Sequence, residues 1–482
     1  MKRILITIAF SVIAAASAFA TEGAENASKN HFKLYGFIRN YFIYDSRESV
    51  SGTGDLFYYL PKDVKMNEAG TQDMNAAPSF RFLALTSRLG MDVSGYKVGN
   101  AHLGAKFEGD FYNGLSSLSD SKVNGLSGNT SVSGAATGRL RQAYLTITWK
   151  DIPLSQEQKA IVGLKVGQAW HPMAADMPHV FSLEAGAPFG PFSRTPQATM
   201  DASFGKNWMV SASALWQMQY RSNGPSGSSA EYMKYGCTPE IYLGLTYKNK
   251  GFLARAGVDL LSIKPRNVGE TIVTVPDPAS SVTPGATKEI ASSVFVSDRK
   301  TSLLYYMYAQ YSHKNFAIKA KTTYGESGEH LNLMSGYAKV RKNEDGSWEY
   351  ASLRSSSSWM SMSYGKKWQG VLFLGYIKNF GLAEPLSKGY LNTSDLYYCT
   401  NGFNNLNQMY RINPQLIYNI GKLNVGLEYQ LTSVQYGDLI TVTETSDMVS
   451  TSFDVLDARG LAPENLRWVS NHRINLMVKY NF

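Results

Sequence analysis

The chain has little cysteine, and the two cysteines it has are far apart. Cys237 and Cys399 are the only two in 482 residues, and they show neither the CxxC spacing of redox motifs nor the clustering of zinc ligands. A disulfide between them requires Cα atoms within about 7 Å of each other. Because the two cysteines fall in loops that root on well-separated predicted strands, we expect two thiols rather than a bridge.

Long apolar segments are also missing after the N-terminus. Beyond residue 20 there is no run of eighteen apolar residues, which excludes membrane-spanning helices of ordinary length. The first twenty residues, MKRILITIAFSVIAAASAFA, carry two early charges, a short apolar run and an Ala18-Phe19-Ala20 pattern, which is typical of a cleaved secretory signal peptide. We therefore predict export, with a signal peptide at 1–20, a short periplasmic segment at 21–31 and one domain at 32–482.

Motifs of catalysis and of nucleic-acid binding are absent from the sequence. The seven histidines are scattered, and there is no G-x-S-x-G, H-E-x-x-H, P-loop or dinucleotide fingerprint. Loss of Lys2 and Arg3 with the signal peptide leaves 47 − 2 = 45 basic and 38 acidic residues, a formal charge of +7, without any Lys/Arg-rich run. These features predict a protein that is not an enzyme, uses no cofactor and binds no nucleic acid.

What the sequence has in abundance is short alternating segments, together with 30 tyrosines and 42 glycines. In AHLGAKFEGDFY (101–112), apolar residues alternate with His102, Lys106, Glu108 and Asp110. Four ionisable groups on one face of a strand need water beside them. About sixteen such segments follow one another, and the gaps between them alternate long and short, which is typical of antiparallel β-barrels of the bacterial outer membrane.

The last predicted strand, HRINLMVKYNF (472–482), shows the same alternation. In a secreted β-sandwich, the alternative fold, this strand would usually be an exposed edge. Pairing of the last strand with the first closes a barrel and removes that edge. Tyr480 and Phe482 would then lie at the periplasmic interface, where such a pair of aromatics resembles the signal by which outer-membrane barrels are recognised for assembly. This resemblance implies the barrel-assembly machinery and outer-membrane lipid as partners.

The alternation of inward and outward residues along the predicted strands places more cations than anions on the water-facing side. The ten cations are Arg88, Lys106, Lys165, Lys248, Arg255, Lys319, Lys321, Arg411, Arg473 and Lys479, and the seven anions are Asp92, Glu108, Asp110, Asp201, Glu240, Asp259 and Glu428. We predict that this excess favours anions in the pore. The alternative is that both signs only pair across neighbouring strands.

The alternation does not show on which face of their strand two arginines lie. In RLRQAYLTITW, Arg139 and Arg141 have the same parity as the apolar residues that follow them. Either these arginines lie above the apolar belt, or a β-bulge switches the faces of the strand.

The segment 170–197 is proline-rich, aromatic and moderately apolar, unlike the other predicted loops. Such a composition suits a third extracellular loop folded into the barrel, with its phenylalanines packed on the wall. We predict that this loop brings to a constriction His171, Asp176, His179, Glu184 and Arg194, facing the lumen residues Arg88, Lys106, Glu108, Asp110, Arg255, Lys319 and Lys321. Arg194 would favour anions, unless it only clamps the loop to Glu184 or to a backbone carbonyl.

Metal binding is a second interpretation of the same segment. His171, Asp176 and His179 are of ligand type, but they lack a tight ligand spacing, so we expect loop hydrogen bonds rather than a metal site.

Several segments resemble the DcaP-like porins of the outer membrane. They are VGQAWHPM (166–173), AGAPFGPFSRTPQ (185–197), KFEGDFYNG (106–114), KAKTTYGE (319–326) and the terminal HRINLMVKYNF. The resemblance implies a homotrimer of sixteen-stranded barrels through which small hydrophilic, often anionic solutes diffuse, narrowed by the third extracellular loop. Residues 21–31 leave no room for the N-terminal coiled coil of some members, so we expect trimerisation through the barrel wall. The alternative function is a barrel that acts mainly in surface interaction or adhesion.

Overall fold

The computed structural model describes residues 31–52, 57–84, 86–113, 136–153, 155, 159–277, 287–399, 402–446 and 449–482. The predicted signal peptide, 1–20, and almost all of the segment 21–31 lie outside these residues. Among the described parts of the chain, no helix is long and apolar enough to cross a membrane.

Within the described residues, sixteen antiparallel strands close into one barrel, as predicted. The second strand is formed by two pieces, Ser79–Leu83 and Arg88–Val98, which both pair with the first strand, His31–Asp45. The barrel strands are β1 (His31–Asp45), β4 (Ser79–Leu83) with β5 (Arg88–Val98), β6 (Ala101–Asn113), β7 (Ala136–Pro153), β8 (Lys159–Trp170), β9 (Arg194–Phe204), β10 (Trp208–Leu215), β11 (Glu240–Asn249), β12 (Phe252–Ile263), β15 (Lys300–His313), β16 (Phe316–Glu326), β18 (Trp348–Gly365), β19 (Trp368–Leu382), β22 (Leu406–Ile420), β23 (Leu423–Asp438) and β26 (Glu464–Asn481).

The remaining strands and helices lie in the connections at one end of the barrel. The strands are β2 (Ser49–Gly52), β3 (Phe57–Pro61), β13 (Val268–Pro276), β14 (Thr287–Phe295), β17 (Gly336–Lys342), β20 (Tyr390–Asn392), β21 (Leu396–Tyr398), β24 (Ile440–Ser446) and β25 (Val449–Asp457). The helical segments are α1 (Glu231–Gly236) and the 3₁₀ turns Pro172–Ala174, Glu329–Leu331 and Thr393–Asp395.

Closure is achieved by the first and last strands. β1 pairs with β26 from Phe37 opposite Asn481 to Asp45 opposite Arg473, and the N–H of Phe482 donates to the carbonyl of Gly36 at 3.1 Å. The edge that a terminal strand would expose in a sandwich is therefore paired. Tyr480 is exposed on the outer surface beside Ile38, its partner in β1.

The wall is apolar outside and polar inside, the reverse of a water-soluble β-sheet protein. In β22, Ile412 and Leu416 are exposed on the outer face, whereas Arg411, Asn413 and Gln415 are buried on the inner face. Each face of such a strand has a compatible environment only if the apolar outer face contacts lipid and the polar inner face contacts water or polar protein groups. The secreted sandwich is therefore the wrong alternative.

The connections at the two ends of the barrel differ in length. At one end β11 and β12 are joined by Lys250-Gly251, β15 and β16 by Lys314-Asn315, and β22 and β23 by Gly421-Lys422. Lys250, Lys314 and Gly421 have positive φ, the conformation that such tight turns need. At the other end the connections are long. They include loop L3 (residues 171–193) between β8 and β9, and loop L6 (residues 327–347) between β16 and β18.

The arginines that parity could not assign follow the second interpretation, a bulge. β6 and β7 pair Glu108 with Gln142 but Gly109 with Leu140, so Arg141 is an extra residue in β7. The bulge switches the faces, so that Arg141 is buried inside while Leu140 is exposed outside. Both Arg139 and Arg141 therefore join the luminal face, in contact with carboxylates of β6.

Candidate functional site: a loop and a basic cluster inside the barrel

The first half of L3 is held by cationic side chains of β12 and β16. Lys321 Nζ donates to the carbonyl oxygen of Met173 at 2.6 Å, and Lys319 Nζ donates to that of Met177 at 3.1 Å. Asp176 completes the attachment through an ion pair with Arg255 Nη1 at 3.1 Å. Three luminal cations of the predicted set are thus engaged in holding the loop.

The second half of L3 is held by strands farther round the barrel. Glu184 lies 2.9 Å from Arg473 Nη1 on β26 and 3.7 Å from Arg411 Nη1 on β22. The hydroxyl of Tyr41 on β1 donates to the carbonyl of Phe181. Because these partners all belong to inward faces, the loop lies against the inner wall.

The apolar side chains of L3 explain its composition. Phe189 packs edge-on against Phe373 of β19, with ring centroids 6.0 Å apart, and Phe181 and Phe192 are buried in the same core cluster. The side chain of Phe189 also occupies the space that a Cβ on Gly375 would need. A hydrophilic surface loop would have no such partners, so the aromatic residues add an apolar attachment to the polar contacts that hold L3 on the wall.

The wall formed by β1, β5, β6, β7 and the start of β9 carries a basic cluster. We use this name for Arg39, Arg88, Arg139, Arg141 and Arg194. Two carboxylates lie among them: Asp110 accepts from Arg139 Nε at 2.9 Å and from Arg141 Nη1 at 2.7 Å, while Glu108 lies 2.9 Å from Arg141 Nε and 3.6 Å from Arg88 Nη1. The formal charge of this group is 5 − 2 = +3.

Two aromatic rings lie beside four arginines of the basic cluster. The guanidinium carbons of Arg39 and Arg88 lie 4.9 and 5.0 Å from the ring centre of Phe37. Those of Arg141 and Arg194 lie 5.7 and 5.0 Å from the ring centre of Trp170. Cation–π attraction offsets part of the repulsion between like charges that share a ring.

Arg194 occupies a different place from the one predicted. It is the first residue of β9 rather than part of the loop, and it is only 2% exposed. Its Nε donates to Gln219 Oε1 at 2.9 Å, whereas Glu184, the clamp partner considered from the sequence, is bonded to Arg473 instead. Arg194 therefore supplies charge from beneath the luminal surface.

The other predicted residues divide between two walls. Arg88, Glu108, Asp110 and Arg194 meet around Arg141, in the basic cluster. Arg255, Lys319, Lys321, Asp176 and Glu184 belong to the attachment of L3. Lys106 stands apart from both groups, bonded to Asp92 Oδ1 at 2.8 Å and placed over the ring of Tyr35.

Arg39, Arg139 and Arg141 of the basic cluster were not predicted as constriction residues, and neither were the two aromatic residues beside them. Trp170 carries two arginines of the basic cluster, and Phe37 carries two others. The alternation of apolar and polar residues gives no sign that a tryptophan at the end of a strand contacts arginines, because a tryptophan of an aromatic girdle shows the same pattern. The arginine pair 139 and 141 was the available signal, and it could not be used until the bulge was known.

His171 belongs to a second buried group, which we call the His–carboxylate cluster: His171, Glu240, Asp259 and His330. His171 Nε2 lies 2.8 Å from Glu240 Oε1, and His330 Nε2 lies 3.3 Å from the same oxygen. Burial by itself lowers the pKa of both imidazoles, but the neighbouring carboxylates outweigh it. They raise the pKa of His171 above its ordinary value and raise the pKa of His330 to about 10.

The metal site considered for His171, Asp176 and His179 does not form. Asp176 is paired with Arg255, and the backbone N–H of His179 donates to Ser361 Oγ at 3.0 Å. Burial, with a further contribution from Lys319, lowers the pKa of His179 to about 4. Within the described residues, the group whose ligand atoms converge is His171 with Glu240 and Asp259.

The two cysteines are not joined by a disulfide, as predicted. Cys237 is exposed at the C-terminal end of α1, and Cys399 is buried with its Sγ 3.8 Å from Met334 Sδ.

Comparison with known proteins identifies the fold. No protein-family model and no curated protein matches the chain. Among solved structures, the outer membrane channel DcaP of Acinetobacter baumannii is 16% identical, with a TM-score of 0.56 over 95% of this chain and 100% of that one. The anion-selective porin from Comamonas acidovorans is 10% identical, with a TM-score of 0.47 over 94% and 100%. OmpF of Salmonella typhi, in complex with daunomycin, is 12% identical, with a TM-score of 0.44 over 94% and 98%.

The resemblance to DcaP-like porins that the sequence segments indicated is confirmed at the level of the fold. The match to DcaP spans nearly the whole described barrel, although so low an identity transfers no residue role. The chain thus has the fold of the DcaP outer membrane channel, a sixteen-stranded antiparallel barrel of the porin type.

Proposed function

We propose that this protein is a porin of the bacterial outer membrane that lets small hydrophilic, preferentially anionic solutes diffuse through a water-filled channel. The observation that carries the proposal is the separation of charge inside the barrel. The acidic groups of L3 are neutralised by the wall to which the loop is attached, while the basic cluster keeps an excess of positive charge.

The charges on the loop side support this selectivity. Asp176 is accompanied by Arg255, Lys319 and Lys321, a formal sum of 3 − 1 = +2. Glu184 is buried between Arg411 and Arg473. L3 therefore brings no net negative charge to face the basic cluster, and a solute passing between the loop and that cluster meets a positive potential from both sides.

Side chains of the basic cluster differ in their access to the lumen. The side chains of Arg88 and Arg139 are 22% and 19% exposed, so their guanidinium groups can contact a carboxylate or phosphate directly. Arg194 and Arg141 are almost fully buried and contribute through their charge. Partial pairing with Glu108 and Asp110 keeps contact with a passing anion weak, as diffusion requires.

No covalent chemistry is part of this proposal. We propose a homotrimer that is assembled into the outer membrane after removal of residues 1–20, with the outer apolar face of the wall in contact with lipid and with neighbouring subunits. Surface interaction is the second candidate, because the outer connections form additional sheets such as β13–β14 and β20–β25–β24.

Single-channel recording in planar bilayers tests the proposal. We expect an open pore of roughly nanosiemens conductance with a reversal potential on the anion side under a salt gradient. A closed barrel would support the surface-interaction function instead. Reversal on the cation side would refute anion preference while leaving the porin function intact.

A further inference from the structure

The His–carboxylate cluster is assembled from three separate parts of the chain. His171 begins L3, Glu240 and Asp259 lie on the neighbouring strands β11 and β12, and His330 lies in the 3₁₀ turn of L6. All four side chains are at most 2% exposed. The cluster therefore lies where L3, L6 and the wall meet, and none of its members takes part in the basic cluster.

Several polar atoms of the cluster lack hydrogen-bond partners among the described residues. These atoms are both ring nitrogens of His330, both carboxylate oxygens of Asp259 and Oε2 of Glu240. Nε2 of His330 is within ion-pair distance of Glu240 Oε1, but the geometry is not that of a hydrogen bond. Buried polar groups in folded proteins are nearly always hydrogen-bonded, and buried carboxylates are paired or bind metal. A concentration of such atoms at one point indicates a ligand that supplies what the protein groups do not supply to one another.

The distances within the cluster match those between the ligands of a small cation. Nε2 of His171 lies 2.8 Å from Glu240 Oε1 and 3.7 Å from Asp259 Oδ1. Nε2 of His330 lies 3.3 Å from Glu240 Oε1 and 3.7 Å from Asp259 Oδ2. Tetrahedral zinc, with bonds of about 2.0–2.1 Å, separates its ligand atoms by about 3.3 Å. The observed separations lie on both sides of that value.

We propose that the His–carboxylate cluster is a binding site for one divalent transition-metal ion of the zinc class. His171 and His330 bind through Nε2, and Glu240 and Asp259 each bind through one carboxylate oxygen. Two carboxylates balance the charge of the ion, and the mixture of imidazole and carboxylate ligands suits zinc better than calcium or magnesium, which prefer all-oxygen sites.

Metal binding displaces a proton from His171. Nδ1 of this ring accepts the N–H of Met173 at 3.2 Å, which assigns the ring proton of the neutral imidazole to Nε2, the atom directed at Glu240. The ion takes the place of that proton, which moves to Nδ1, so that the ring stays neutral and gives up its hydrogen bond from the Met173 N–H. His330 releases its Nε2 proton to solvent when that nitrogen binds the ion. The bound ion then fixes the start of L3 and the turn of L6 to the same two strands. This role does not depend on which solutes the channel passes.

The test uses the full mature chain in detergent, stripped of metal and carrying Cys237→Ser, since the exposed thiol is a competing ligand. Titration with Co²⁺ is expected to give one equivalent bound per chain and the intense visible absorption of four-coordinate cobalt, and one equivalent of Zn²⁺ should abolish that absorption. His330→Gln and Glu240→Gln should each weaken binding at least tenfold. His179→Gln, a substitution of the same type in L3 but outside the cluster, should leave it unchanged.

A measurement on the chain with all four ligands intact keeps the test decisive if those variants fail to fold. X-ray absorption of the zinc-loaded Cys237→Ser protein should show four nitrogen or oxygen neighbours at about 2.0 Å and the signature of two imidazoles. Binding of less than a fifth of an equivalent of zinc per chain, or a sulfur atom bound to the zinc, would overturn the proposal. So would full binding in His330→Gln. In those cases, pairing of imidazolium with carboxylate accounts for the cluster.

Discussion

The two inner walls of the barrel contain the same types of charged residue, but these residues have different partners. On the wall that holds L3, acids of the loop meet bases of the strands: Arg255 pairs with Asp176, and Arg473 pairs with Glu184 as well as with Asp45 of β1. On the wall of the basic cluster, strand carboxylates must serve a larger number of strand arginines. A luminal charge thus helps to hold L3 where the loop supplies its partner, and on the other wall we propose that the excess charge acts on the passing solute.

This comparison predicts that removing an acid from the loop wall has the largest effect. Glu184→Gln removes the charge that the buried guanidinium groups of Arg411 and Arg473 share, while Arg473 keeps its ion pair with Asp45. Removing one partner of a buried ion pair lowers the free energy of unfolding by about 3–5 kcal/mol. We therefore expect L3 to detach partly and the channel to become wider and noisier. Single-channel traces measure this change.

Glu464→Gln provides the matched control, because this glutamate is exposed at the start of β26. It should behave as the unmodified protein does. A quiet channel of unchanged conductance in Glu184→Gln would show that the apolar contacts of L3 alone fix its position.

Removing charge from the other wall should change selectivity without disturbing L3. The double substitution Arg88→Gln and Arg139→Gln lowers the formal charge of the basic cluster from +3 to +1. We expect the anion-over-cation permeability ratio to fall at least about twofold, because the potential in the pore depends on the summed charge. The reversal potential under a salt gradient reports the ratio, and conductance noise should stay unchanged.

Arg341→Gln is the control for this pair, since Arg341 is exposed in L6 and bonded to Glu349. If the double variant kept the original reversal potential, the excess charge of the basic cluster would not determine selectivity.

A smaller effect is expected from Arg194, which lies beneath the surface. Arg194→Met retains most of the side-chain volume over Trp170 but removes one positive charge. We expect a shift of the reversal potential toward cations that is smaller than the shift in the double variant. An unchanged reversal potential with a noisier channel would mean that Arg194 only fixes the start of β9 through Gln219.

The sequence predicted the barrel well because every strand repeats the same local rule. Ile412 and Leu416 face outward and Arg411 and Gln415 inward in β22, and the period of two is legible without knowledge of any partner. The loop composition of L3 was informative for a similar reason, since its phenylalanines need an apolar surface wherever they lie.

Pairings between distant residues could not be predicted in this way. Glu240 meets His171 and His330, which are 69 and 90 residues away along the chain, and no periodicity encodes such a meeting. The bulge at Arg141 could not be predicted from periodicity either, because a single extra residue reverses the inward and outward positions of the residues that follow it. Arg194 was placed in the correct region, but its burial follows from Trp170 and Gln219, which only the fold brings to it.

The smallest expected effect concerns pH and the attachment of L3. His179 has its pKa lowered to about 4 in the folded protein, first by burial and then by Lys319, whereas an unfolded histidine titrates near 6.5. The folded state therefore binds fewer protons than the unfolded state between these values, so stability is complete above about pH 6.5 and falls as the pH drops toward 4. We expect slightly more frequent closures or noise at pH 5 than at pH 7, modest in size because the imidazole is partly open to water. His179→Gln should remove this dependence, while His102→Gln, which changes a partly exposed strand histidine at the opposite end of the barrel, should keep it. A pH response that persists in His179→Gln would assign the sensitivity to other titrating groups of the lumen.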